Sequence, residues 1–131
     1  MKVAAALGAA AGVWLLGTLA TALIPVFVPL EMLQDDIGEY VWFALPHAVI
    51  TGLMALAAGL VHGRDELRSV GGAVVVLALP AVHTVAGAVL GAVVGTEAAM
   101  NVAQAVCSVA GALLVYLLMR PARAPMRLAS R

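Results

Sequence analysis

The chain has 131 residues, 64% of them hydrophobic and only 11% charged, with seven Lys and Arg against seven Asp and Glu. A water-soluble domain of this length needs far more polar surface over its core, so this composition, with a mean hydropathy of +1.09, excludes an ordinary soluble fold. The lone Cys107 excludes an intramolecular disulfide, and there is no basic stripe for nucleic acid.

A hydrocarbon layer ~30 Å thick asks for ~20 consecutive apolar residues per helix. Runs of that kind cover 3–24, 39–61, 69–94 and 98–119, and little remains between them. The expected fold is therefore all-α, a polytopic up-down bundle of four transmembrane helices forming one domain over 1–131.

The first span ends at Pro25 and carries Gly8 and Gly12, a G-x-x-x-G pair suited to close helix approach. Ala20-Thr21-Ala22 also fits the small-residue pattern of a signal-peptide cleavage site, but the apolar stretch is longer than a usual signal core, which favours a retained span. In the loop 25–38, Pro25 and Pro29 keep the start extended. From Leu30 to Tyr40 the pattern predicts a short interfacial helix, with Leu30, Leu33 and Ile37 on one face and Glu31, Asp35 and Glu39 on another.

The second span opens with Tyr40, Trp42 and Phe43, an aromatic anchor at headgroup depth. A short turn holding Arg64, Asp65, Glu66 and Arg68 leads to the third span, which is long enough to require tilt or a bend. Its glycines Gly87 and Gly91 form a second pair for close approach. The turn Gly95-Thr96-Glu97 precedes the fourth span. Pro121 and Pro125 break helix in the tail 120–131, so Arg120, Arg123, Arg127 and Arg131 are expected to rest on anionic inner-leaflet lipids.

Basic residues occur only at Lys2, in the turn with Arg64 and Arg68, and in the tail. The other two loops hold Glu31, Asp35, Asp36, Glu39 and Glu97 without a single Lys or Arg. Short cytoplasmic loops retain Lys and Arg during insertion, so both termini are expected in the cytoplasm and the chain in the plasma membrane. The preference for Arg over Lys and the Ala, Val and Gly filler suggest a GC-rich bacterial source.

Polar side chains inside a membrane are expensive, so their depth is informative. Measured from the outer end of each span, Thr18, Thr21, His47, Thr51, His83, Thr84, Asn101 and Gln104 all fall in the outer half, with Ser108 and Cys107 near the midplane. The inner half is almost wholly Ala, Gly, Val, Leu and Met, which predicts a dry plug below a polar outer chamber. At ~1.5 Å per residue, His47 lies ~12 Å and His83 ~16 Å from the outer boundary, so the two imidazoles can face each other. Pro46 and Pro80 each precede one of these histidines and are expected to bend their helices there.

Three functional readings follow. The leading one is a non-catalytic structural or accessory membrane subunit, in a homo-oligomer or larger complex, with the polar residues acting as interhelical glue. A second is a binder or conduit for a small or lipophilic solute, oriented by Thr51, Thr84, Asn101, Gln104 and Ser108. A third is a haem b or metal protein in which His47 and His83 supply the ligands. His62 reads as an ordinary loop residue and Cys107 as a small packing residue. The first span lacks the embedded carboxylate of small multidrug exporters, and the single cysteine lacks the partner that quinone-linked disulfide enzymes need. The aspartates lie in loops rather than facing each other at membrane depth, as membrane aspartyl peptidases require. No nucleophile and base stand in a recognisable arrangement, so no enzymatic activity is expected.

Overall fold

A computed structural model describes residues 1–121. Its elements are α1 (Lys2–Ala22), α2 (Ile24–Phe27), α3 (Leu30–Gln34), α4 (Asp36–Phe43), α5 (Leu45–His62), a 3-10 segment (Arg64–Arg68), α6 (Val70–Val94) and α7 (Ala98–Met119). No strand occurs among the described residues. Four stretches are long and apolar enough to cross a membrane: Lys2–Phe27, Asp36–His62, Val70–Val94 and Ala98–Met119. The tail arginines Arg123, Arg127 and Arg131 lie outside the described residues.

Local chemistry sets the helix ends. Asp35 caps α4 by accepting from the Gly38 amide at 3.3 Å, and the Ser69 hydroxyl oxygen caps α6 by accepting from the Gly72 amide at 2.9 Å. At its far end α6 stops at Gly95, whose φ of 80° is left-handed backbone that costs a glycine nothing. The next amide, Thr96, donates back to the Gly91 carbonyl at 2.8 Å and closes the turn.

Three segments differ from the sequence reading. The loop expected to start extended at Pro25 begins instead with the helical turn α2, which holds Pro25 in its first turn, where a missing N–H costs little. The single helix expected from Leu30 to Tyr40 is split into α3 and α4, because extended Asp35 (ψ 139°) must leave the helix to act as a cap. Of its apolar face only Leu33 is buried, while Leu30 and Ile37 stay exposed. The second span is interrupted at Ala44, two residues before Pro46, which sits in the first turn of α5 where its missing N–H costs little. Pro80, by contrast, lies within an unbroken α6.

α5 is the central helix, packing most extensively on α7 and α1 and less on α6; α6 also lies along α7, whereas α1 and α7 scarcely meet. The α5–α7 contact is the closest. A methyl group added at Gly111 would collide with the Ala48 carbonyl, and one at Gly52 would stand 3.3 Å from the Gly111 carbonyl. Gly59 similarly makes room for Met119 and Gly17 for Ile50. The apolar core gathers towards the end that carries Arg64, Arg68 and Arg120, here called the basic end. It is built on Ala6, Ala10, Met54, Ala58, Val76 and Tyr116. The Tyr116 hydroxyl donates to the Leu67 carbonyl at 3.0 Å and ties α7 to the 3-10 segment.

The glycine pairs expected to mediate close approach do not behave as pairs. Gly8, Gly12 and Gly87 meet nothing of the chain where a side chain would project, and only Gly91 is packed, against the Asn101 side chain. Because α7 backs onto Ala48 at Gly111 and has no slack, Gly111→Ala should lower unfolding stability by about 1–3 kcal/mol. Gly87→Ala, which enters open space and improves helix propensity, should be neutral or stabilising by up to ~1 kcal/mol. Denaturant or thermal unfolding in detergent compares them; equal effects would contradict this packing.

Candidate polar site

The histidines come together. Nδ1 of His47 on α5 lies 3.2 Å from Nε2 of His83 on α6, with ring centroids 5.2 Å apart and planes tilted by 30°. Trp14 of α1 presents its ring at 75° to His83 with centroids 6.1 Å apart, so three helices meet here. Two neutral imidazoles joined in this way share one proton between them. Whichever ring donates, the pair then has one N–H and one lone pair left over on its outer nitrogens.

The remaining polar residues mostly join helices or bond within one. The Thr51 hydroxyl is buried 2.7 Å from the Ser108 carbonyl of α7 and 2.8 Å from the His47 carbonyl of its own helix. With one proton to give, it is shared between the two. Asn101 of α7 donates from Nδ2 to the Ala88 carbonyl of α6 at 2.9 Å, while its buried Oδ1 has no partner. Thr84 donates to the Pro80 carbonyl at 2.9 Å and Ser108 to the Gln104 carbonyl at 2.8 Å, one turn back in each helix. The side chain of Gln104 makes no hydrogen bond with any described residue.

Among the described residues, the histidines line no open polar chamber. The space beside the histidines has a volume of about 160 Å³ and is nowhere wide enough for a water molecule; His47, His83, Thr84, Gly87, Gln104 and Ser108 are among its lining residues. Thr51 and Asn101, expected to orient a solute, do not line it: Thr51 is fully buried in the α5–α7 seam and Asn101 is turned to Ala88. The cause is the close α5–α7 approach, which closes the volume that a wider bundle would leave. A larger apolar crevice of about 280 Å³ lies between α6 and α7 and shares Thr84 and Ser108 with the small space.

The ligand roles drawn for the histidines fit poorly. A haem iron takes two axial imidazoles from opposite faces of the macrocycle, whereas these rings contact each other directly. Two nitrogens 3.2 Å apart suit two corners of a tetrahedral ion, but no group of three or more His, Cys, Asp or Glu assembles among the described residues.

Sequence reasoning also passed over two residues. Trp14 stands in the middle of α1, away from the interfacial depth where tryptophans concentrate, and that displacement was the available signal. His62 is not a loop residue: it ends α5, is 8% exposed, and its Nδ1 is buried without a partner. Comparison of the chain with protein-family models, with curated proteins and with solved structures finds no match.

A membrane interhelical hydrogen bond contributes ~0.6 kcal/mol on average and up to ~1.7 kcal/mol. Thr51→Val, which keeps the shape and deletes the donor, should destabilise by that order in detergent unfolding. A double-mutant cycle on His47→Ala and His83→Ala should return a coupling in the same range; zero coupling would mean the imidazoles do not bond in the membrane.

Proposed function

We propose that the protein is a non-catalytic multi-pass subunit of a bacterial plasma membrane, with both termini cytoplasmic, serving a structural or accessory role in a larger or homo-oligomeric assembly. One observation carries this reading: three hydrogen bonds from polar side chains within the apolar helices join one helix to another. His47 to His83 links α5 with α6, Thr51 to Ser108 links α5 with α7, and Asn101 to Ala88 links α6 with α7. Ion-coupled transport and proton relays generally rely on intramembrane charge, and α5, α6 and α7 contain no Asp, Glu, Lys or Arg.

The charge asymmetry supports the orientation, because Lys2, Arg64, Arg68 and Arg120 stand at the helix ends opposite Glu31, Asp35 and Glu97. Arg120 and the tail arginines Arg123, Arg127 and Arg131 are suited to anionic lipid at that surface. An assembly is supported by the open G-x-x-x-G face of α1, where Gly8 and Gly12 are left unpacked by the chain itself.

Extraction in mild detergent followed by native mass spectrometry should return a species heavier than the 13.3 kDa chain; a monodisperse monomer without a partner would overturn the subunit reading. For orientation, a membrane-impermeant maleimide on intact cells should label Thr96→Cys and spare Asp65→Cys, both in a Cys107→Ser background. The reverse pattern would invert the topology.

A further inference from the structure

The His47–His83 bond differs from the other interhelical bonds in that both of its partners are imidazoles, which take up protons in mildly acidic water. The Thr51–Ser108 and Asn101–Ala88 bonds run from a hydroxyl and a carboxamide to backbone carbonyls, none of which takes up a proton at ordinary pH. Nδ1 of His47 and Nε2 of His83 are held 3.2 Å apart by one proton between them. A first added proton goes to an outer nitrogen, and the bond between the rings survives. A second must take the inner lone pair, so two N–H groups and two positive charges then face each other.

Among the described residues, no neighbouring helix offsets that repulsion. The space beside the pair is nowhere wide enough for water, and no Asp or Glu lines it. α5 adds only His62 at its far end, and α6 has no other titratable group. The 3-10 segment, with Arg64, Asp65, Glu66 and Arg68, lies at the basic end of both helices. α1 brings Trp14 to His83, and its only side-chain charge is Lys2 at its start. α7 contributes Gln104 and Ser108 to the space, whereas its Cys107 and Tyr116 do not line it. α4, packed on α5, carries Asp36, Glu39 and Tyr40, which are exposed and do not line it either. A doubly charged pair in this setting lacks both counter-charge and hydration. It gains polar partners by parting: water enters between α5 and α6, and the Gln104 carboxamide oxygen, which bonds to no described residue, can accept from an imidazolium N–H.

We propose that the His47–His83 bond is an acid-released latch on the α5–α6 seam. At neutral pH the pair holds the two helices together. In mild acid both rings charge, the rings part, and the space beside Gln104 widens to admit water. The parted rings bind two added protons where the bonded pair binds one, so falling pH favours the open seam and rising pH restores the latch. The movement is local, because the Thr51–Ser108 and Asn101–Ala88 bonds keep α7 on both neighbours. Such a device goes beyond the subunit role and does not depend on it, since the latch lies within one chain.

Nitroxide pairs on the full chain in nanodiscs, in a Cys107→Ser background, read the helix separations by double electron–electron resonance. Val49→Cys with Val85→Cys spans α5 to α6, and Val85→Cys with Val106→Cys spans α6 to α7, all at exposed positions. Between about pH 7.5 and about pH 4.5, a range that carries imidazole from neutral to charged, the first separation should lengthen by about 2 Å while the second holds. Return to the starting pH should reverse the change. His83→Gln keeps a hydrogen-bonding group beside His47 in either protonation state but cannot charge, so it should cut the shift at least threefold. His47→Gln should do the same, which gives a second reading should one variant fold poorly. The thermal unfolding midpoint should fall over the same pH range in the wild type and fall less in either variant. An unchanged wild-type separation, an undiminished shift in both variants, or an equal shift of the α6–α7 pair would overturn the proposal.

Discussion

In hydrocarbon a polar side chain has no water to fall back on, so its partner must come from its own helix or from a neighbour. That constraint organises this protein. The α5–α6, α5–α7 and α6–α7 contacts each contain one interhelical hydrogen bond, made by His47, Thr51 and Asn101 respectively. Each bond contributes little on its own, but the three select one mutual rotation and one register for three otherwise featureless Ala-, Val- and Gly-rich surfaces. α1 lacks such a bond and is held by small-residue packing on α5 and by the edge of the Trp14 ring against His83.

The same constraint shapes what the site can do. A hydroxyl bonded one turn back along its helix has spent its proton and keeps only acceptor capacity, as Thr84 and Ser108 do. A hydroxyl bonded across a helix seam, as at Thr51, is unavailable to any ligand. The polar residues of these helices therefore divide into those that join two helices, those that bond one turn back along their own helix, and Gln104, whose side chain bonds to no described residue. Residue type does not predict the division, since Thr51 and Thr84 are the same residue at similar depth with opposite fates.

Several features were legible because they depend on neighbours along the chain. The four apolar stretches, the turn at Gly95 and the meeting of His47 with His83 follow from hydropathy, turn chemistry and position counted along each helix. Features that depend on which helix faces which were not legible. The Gly8 and Gly12 motif is left open, whereas Gly52 and Gly111, which no motif marks, stand where the backbones of α5 and α7 approach closely. The break between α3 and α4 was hidden because Asp35 fits both an acidic helix face and a cap, and the cap prevails once the Gly38 amide is in reach. His62 was misplaced in a loop because its turn is polar, although its own side chain packs inward.

By itself the sequence determined where the chain can cross a membrane, how charge divides along it, and how far along each apolar stretch its polar residues lie. Each of these is a property of short windows, read from composition and from the rise of a helix. Only the tertiary structure decided that the expected polar chamber is closed, that Thr51 and Asn101 are consumed by helix contacts, and that Gln104 is not. Those outcomes turn on the approach of α7 to α5 at Gly111 and Ala48, residues 63 positions apart. A contact between two backbones leaves no signature in the local pattern of either one.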